Sequence, residues 1–258
     1  MGPGKGNAMG LAFWEELPQL MDEVNRMDDI GCLIFRGSGS HFSYGLNIPE
    51  MMPRLSAVAG DGTQVQQRMD LMAQIQQMQS GFQKMFASDK PVIAAVHGWC
   101  IGGGVSMIAA ADIRLCSREA TFSLREAKLG ITPDIGALQF LPLIIGQGLT
   151  REMAFTGADY DAAFAERAGL VNHVYETPDD LFEAADQLAR QIAGNPAGAI
   201  QGTKRVLNNG VSKSIDDGLQ YVASLNSSQL RMDDISEAMH ATMEKRQAAF
   251  NKKRNRGY

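Results

Sequence analysis

Two glycine-bearing turns and two carboxylates are the residues of this chain best suited to act together. Ser43-Tyr44-Gly45 and Gly102-Gly103-Gly104 each follow a short apolar run, and Glu126 and Asp134 come shortly after the second turn. A backbone without Cβ lets a ligand approach peptide N–H groups, and two such donors converging on one oxygen would stabilise a developing enolate without titrating. A pair of carboxyl groups, one ionised and one protonated, would move protons on and off neighbouring carbons. Each feature also has a purely structural explanation. Glycine runs let a helix pack closely on a strand, and Asp134, directly after Pro133, stands where it could cap a helix running through Leu138. Spacing alone does not put the two acids on one face, because Gly130 and Pro133 interrupt any helix between them.

Other chemistries are excluded by inspection. There is no GxxxxGK[ST] phosphate loop, and Gly102-x-Gly104 has Met107 where a dinucleotide fingerprint places its third glycine. His41-Phe42-Ser43-Tyr44-Gly45 has His where a nucleophile elbow requires Gly. His41, His97, His173 and His240 show no HExxH spacing and no CxxC occurs, so no metal site is expected.

The elements that must position the acids and turns can be read from periodicity. Leu11 to Met27 has helical spacing with Pro18 as a kink, Ile30 to Phe35 is a buried strand, and Met51 to Gly62 reads as an exposed loop. A Met-rich stripe from Gln64 to Ala87 predicts a core-packing helix. Val92–Val96 is a second buried strand, followed by the glycine run, a small-residue helix over Val105–Ala110, and short strands at Ile113–Cys116 and Thr121–Ser123. Helices that return the chain to further strands are the pattern of parallel crossovers, so the class is α/β. After Asn195-Pro196 only helical periodicity is found, which places a boundary between residues 1–194 and 195–258.

Composition narrows the partners. The 258 residues are 45% hydrophobic and 21% charged, with a formal charge of −5, which disfavours nucleic acid as a ligand. Lys245, Arg246, Lys252, Lys253, Arg254 and Arg256 against Glu244 give the last stretch a net +5, leaving −10 on the rest. That tail is a solvated basic segment or a phosphate contact. Pro91 to Ala111 has no formally charged residue but is too poor in strongly apolar side chains to be a convincing membrane span, and nothing ahead of Leu11 reads as a cleavable signal. Cys32, Cys100 and Cys116 read as reduced core residues in a cytoplasmic setting.

Lys90-Pro91-Val92-Ile93-Ala94-Ala95-Val96-His97-Gly98, followed by Cys100-Ile101-Gly102-Gly103-Gly104, resembles the signature of the enoyl-CoA hydratase/isomerase, or crotonase, superfamily. His41 to Gly45 and Asn7-Ala8-Met9 are similar to it as well, and the resemblance covers essentially the whole chain. It implies a spiral of ββα turns, a C-terminal helical trimerisation region giving a homotrimer or a dimer of trimers, and an acyl-CoA thioester as ligand, with coenzyme A part of the substrate and no separate cofactor. It implies an oxyanion hole from the N–H groups of Tyr44 and Gly103. Ser43, Gly45, Leu46, Gly102, Gly104 and Ser106 would line the substrate, with Lys245 near the CoA phosphates of a neighbouring subunit.

Within the family, hydratases carry a glutamate where this chain has Ser106, and a hydroxyl is no general base near neutral pH. The 3,5-2,4-dienoyl-CoA isomerases of fatty-acid breakdown look closer, because they have acids corresponding to Glu126 and Asp134, and similarity extends through Lys90–Ala154 and Tyr221–Asn226. Their third acid is replaced here by Ser106, and Asn47 stands where relatives commonly have Asp. The resemblance places Glu126 near C2 and Asp134 near C6, with the reverse assignment left open. The alternatives are an atypical hydratase or Δ3,Δ2-enoyl-CoA isomerase using Glu126 alone, and a non-catalytic acyl-CoA binder. Relatives also have one or two β-strands ahead of the segment that here begins Met1-Gly2-Pro3, so the expectation is a native start further upstream or a shortened first turn.

Overall fold

The apolar run Val92–Val96 is buried along its whole length because both faces of its sheet are covered. In the computed structural model, which describes residues 5–59 and 65–249, the chain order opens with α1 (Leu11–Arg26), β1 (Leu33–Arg36), α2 (Ile48–Ala59), α3 (Val65–Ala87), β2 (Val92–Val96), β3 (Trp99–Ile101) and α4 (Gly103–Ala109). It continues with β4 (Ile113–Ser117), β5 (Thr121–Ser123), a 3-10 turn (Glu126–Leu129), α5 (Ala137–Thr156), β6 (Asp159–Asp161), α6 (Ala162–Arg167) and β7 (His173–Tyr175). Helices α7 (Pro178–Ala193), α8 (Ala197–Asn209), α9 (Ser212–Gln229) and α10 (Met232–Met243) complete it.

One sheet has the order β1-β2-β4-β7 with every pair parallel, in register Leu33↔Val92, Ile93↔Ile113 and Leu115↔His173. The alternation of a strand sends Val92, Ala94 and Val96 into the main core, while Ile93 and Ala95 join Leu115 against Leu181 and Ala185 of α7. This two-sided burial makes the run continuously apolar rather than alternating. The second sheet, β3-β5-β6, is parallel between β3 and β5 and antiparallel between β5 and β6. The α/β class expected from the crossovers holds, and the strand–helix units wind as the family resemblance implied. The 91–111 stretch divides into β2, β3 and α4, and among the described residues no helix is long and apolar enough to cross a membrane.

The structure corrects several expectations. Met51 to Ala59 is helix, not loop: Pro49 sits in the first turn, where a missing N–H is tolerated, and Met51 inserts into the core with its N–H on the Asn47 carbonyl, 2.9 Å. The Asn47 amide donates to Glu50, 2.8 Å, which accounts for an amide at this position. Helix α1 runs on through Pro18. The sequence pattern marks β5 but not the equally short β3, β6 and β7. Cys32 is only half-buried, whereas Cys100 and Cys116 lie in the core. The basic residues 252–256 lie outside the described residues.

The C-terminal helices are tied into the sheet by a buried cation. Lys204 of α8, 5% exposed, donates to Asp112 (2.7 Å) and to the Lys90 carbonyl (3.0 Å), and the same Asp112 oxygen accepts the N–H of Val92 (2.7 Å). Removing Lys204 leaves the partly buried Asp112 carboxylate without its cation and the Lys90 carbonyl without this donor. Lys204→Ala is expected to destabilise the fold by about 3 kcal/mol, read as a lower urea midpoint, with Arg205→Ala on the exposed side of the same helix costing less than about 1 kcal/mol.

Candidate active site

The two glycine turns are brought side by side by short backbone pairing. Ser43 N–H donates to Trp99 O (3.0 Å) and Ile101 N–H to Ser43 O (2.9 Å), which stitches the first turn along β3. The Ser43 hydroxyl turns inward to the Asn7 carbonyl (2.9 Å) and accepts the Gly45 N–H (3.1 Å). Gly45 is left-handed, φ 77°, and a Cβ there would lie 2.6 Å from Ile101 O and 3.0 Å from Gly103 N, so only glycine lets the two backbones meet. Gly104 packs in the same way on Ser43, its Cβ position 3.2 Å from the Ser43 carbonyl. Close packing and ligand access are therefore served by the same glycines.

The available amides are not quite the pair the resemblance implied. Tyr44 N–H is engaged, donating to Gly6 O at 2.8 Å, and its ring lies over Gly6 and stacks on His41, 5.1 Å between centroids. This corrects the placement of the first oxyanion donor on Tyr44. Met9 pairs with Leu46 through Met9 N–H to Gly45 O (2.7 Å) and Asn47 N–H to Met9 O (2.9 Å). In such a ladder the intervening N–H faces the other way, so Leu46 N–H points away from Met9. Among the described residues neither Leu46 N–H nor Gly103 N–H has a partner. Gly103 opens α4, where the first N–H groups have no helical acceptor.

Glu126 stands against this glycine run. Gly102, φ 51°, donates to Ser123 O (2.8 Å), and a Cβ on it would meet the Glu126 carboxyl at 3.3 Å. The preceding residue, Arg125, is clamped to Asp159 (2.8 Å) and lies over the Trp99 ring at 4.9 Å, which fixes the 3-10 turn that carries Glu126. Both acids keep a partly exposed edge as residues, but their carboxyl groups are enclosed, and Glu126 Oε2 is buried without a hydrogen-bond partner. Burial pushes Glu126 up to about 7, opposed by a bond to its own backbone, with the charge of Asp134 adding to the rise. Burial likewise pushes Asp134 up to about 6, opposed by a hydrogen bond from Asn226.

Asp134 is not a helix cap: α5 begins after Gly136 without a side-chain cap. Its Oδ2 instead accepts from Asn226 Nδ2 (2.6 Å), and its carbonyl accepts from Gln79 Nε2 (2.6 Å). Sequence reasoning gave neither amide a role. Gln79 was detectable as a polar residue inside an apolar helical stripe between Ile75, Met78 and Phe82, whereas Asn226 carried only a family likeness. Ser106, in the first turns of α4, is fully buried with an unpartnered hydroxyl. Leu46 is half-buried, and Lys245 is exposed in the turn after α10, where its ammonium has no partner among the described residues. The structure thus gathers Ser43, Gly45, Leu46, Gly102, Gly103, Gly104 and Glu126 at one place, and Asp134 within electrostatic reach of Glu126.

A family model described as enoyl-CoA hydratase/isomerase matches residues 2–253. The chain belongs to the enoyl-CoA hydratase/isomerase family. It is 43% identical over 250 residues to the "Delta(3,5)-Delta(2,4)-dienoyl-CoA isomerase, mitochondrial" of Dictyostelium discoideum, covering 96% of this chain and 84% of that protein. The "Delta(3,5)-Delta(2,4)-dienoyl-CoA isomerase, peroxisomal" of Arabidopsis thaliana is 36% identical, covering 97% and 90%. Among solved structures, the enoyl-CoA hydratase of Bacillus halodurans superposes with a TM-score of 0.81 at 25% identity, covering 93% of each chain. The spiral core and helical C-terminal region are those of this family.

In an enoyl-CoA hydratase/isomerase fold a carboxyl raised by burial lowers stability at neutral pH. An unfolded glutamate releases its proton near its ordinary value while folded Glu126 holds it to about 7, so the folded state is favoured at low pH and loses that advantage as pH rises through about 7. Glu126→Gln is therefore expected to raise the thermal midpoint at pH 8, by on the order of 1–3 kcal/mol of stability, and to leave it nearly unchanged at pH 4. Calorimetry at the two pH values checks this.

Proposed function

We propose that this protein isomerises 3,5-dienoyl-CoA thioesters to their 2,4 isomers. The observation that carries the reading is the enclosed pair Glu126 and Asp134, both raised into the neutral range, beside two partnerless amides in a chain so similar to named dienoyl-CoA isomerases. The thioester oxygen would accept from Leu46 and Gly103 N–H, which hold the charge that develops when C2 loses its proton. One carboxyl takes that proton and the other delivers one at C6. The conjugated chain between them spreads the negative charge, so neither step forms a localised carbanion.

Water addition is disfavoured because Ser106 offers no second base, and a one-acid isomerase leaves unexplained the amides that hold Asp134. A non-catalytic binder would have no use for carboxyl groups kept near neutrality at a cost in stability. Exposed Val206, Leu207, Tyr221 and Met243 on α8–α10 support assembly through the C-terminal helices into a homotrimer or dimer of trimers, with Lys245 reaching CoA phosphates of a neighbour. The free cysteines fit a reducing compartment such as the cytoplasm.

The test is ultraviolet monitoring of a 3,5-dienoyl-CoA for the conjugated 2,4 chromophore. Wild type is expected to produce it, and Glu126→Gln and Asp134→Asn to lose at least about 100-fold each. Binding without spectral change would defeat the proposal, and unchanged turnover by Asp134→Asn would favour a single-acid isomerase. Since the pair must share one proton, activity should follow a bell, falling below about pH 6 as both acids protonate and above about pH 7 as both ionise.

A further inference from the structure

Asn7 is one of two non-glycine residues among those described with a left-handed backbone, φ 50°, and it is 3% exposed. A short polar side chain tolerates that conformation without requiring it, so the reason lies in what the amide reaches. Nδ2 donates to the carbonyls of Ser38 (2.8 Å), His41 (2.7 Å) and Phe42 (3.2 Å), and Oδ1 accepts from the Ser38 hydroxyl (2.8 Å). Main-chain carbonyls only accept, so the nitrogen end of the amide must face them, and both of its N–H groups are used. Among the described residues no other donor reaches these three carbonyls. Gly37 leaves room for the amide, since a Cβ there would lie 2.9 Å from Nδ2. The Gly39 carbonyl in the same loop is held separately by His97 Nε2 (2.8 Å).

The Asn7 main chain continues the hold into the first glycine turn. Its carbonyl accepts the Ser43 hydroxyl (2.9 Å), which in turn accepts the Gly45 N–H (3.1 Å), while Tyr44 N–H goes to Gly6 O and Asn47 N–H to Met9 O. Leu46 N–H is left without an acceptor among the described residues. We propose that Asn7 is a positioning residue for this amide: its side chain fixes the loop that enters the turn, its carbonyl fixes the turn, and residue 46 is thereby the one that offers its N–H to the thioester oxygen. The inference rests on the reading above that this oxygen accepts from Leu46 and Gly103 N–H. Without the Asn7 amide, three buried or part-buried carbonyls lack a donor, and the loop settles elsewhere and carries the Leu46 N–H off its line. An oxyanion donor acts only where its distance and direction suit the developing charge, so a displacement of about 1 Å removes most of its effect.

The decisive measurement is isotope-edited infrared spectroscopy of a saturated acyl-CoA, labelled with carbon-13 at the thioester carbonyl and bound to the full chain. Amides donating to that oxygen polarise the C=O bond, so the wild-type protein is expected to move its stretching band to lower wavenumber. Asn7→Gly keeps the left-handed backbone and removes only the amide. It is expected to lose about half or more of that movement, and to lower turnover of a 3,5-dienoyl-CoA by about 10–100-fold with KM within about threefold. A residue needed only for stability would lower the thermal midpoint and leave the band of the folded, ligand-bound protein where the wild type puts it; that result in Asn7→Gly overturns the proposal. Should Asn7→Gly not fold, Ser43→Ala, which cuts the link between the Asn7 carbonyl and the Gly45 N–H, repeats the measurement with the same loss expected and the same overturning result. A wild-type band that does not move on binding overturns both this proposal and the placing of the oxygen on the two amides. A moved band without any 2,4 chromophore overturns the isomerase reading alone.

Discussion

Enclosing two carboxyl groups within reach of each other is unfavourable, and the rest of the site is arranged around that constraint. Water would hold both acids ionised; removing it raises both into the neutral range. The same enclosure would strengthen a hydrogen bond from the Leu46 or Gly103 N–H to the oxyanion of the proposed reaction, because such a bond gains more in a low-dielectric site than in water.

The free energy for that exclusion comes from elements distant from the chemistry. The four-stranded sheet is covered on both faces, and the core between it and α1, α3 and α5 is continuous up to Ile135 and Ala137 beside Asp134. The Lys204 clasp joins α8 to the same sheet, and α9 then presents Asn226 to the second acid. The amides need no reorganisation when charge develops, because backbone pairing to β3 and to Met9 fixes their direction before any ligand arrives.

Much of this was legible in the residues. The continuous apolar run of β2 and the crossovers marked a doubly covered parallel sheet, and the glycine turns and downstream acids marked the place where chemistry could occur. What the sequence could not carry was the direction of individual donors. Tyr44 and Leu46 both flank Gly45, and only the Gly6 carbonyl on one N–H and the Met9 ladder beside the other distinguish them. Proline at 49 disguised α2 as a loop because a first-turn proline and a loop proline look alike in sequence. Asp134 read equally well as a cap, since capping and catalysis ask for the same short carboxylate after a proline.

Under the proposed isomerisation, the hydrogen-bond partners of the acids would select the reaction more than the two amides would. Ser106 is fully buried with an unpartnered hydroxyl, which is no general base near neutral pH and so would leave the proton balance to Glu126 and Asp134. A pair so isolated cannot draw on a second base to activate water, yet it suits a substrate that needs one proton removed and another supplied at the far end of a conjugated chain. The C-terminal helices expose apolar side chains such as Val206, Leu207 and Tyr221 on one side, while the buried side of α9 holds the second acid. The seating of α9 on α3, fastened by Gln79 between the Leu219 and Asp134 carbonyls, therefore sets where Asn226 meets Asp134.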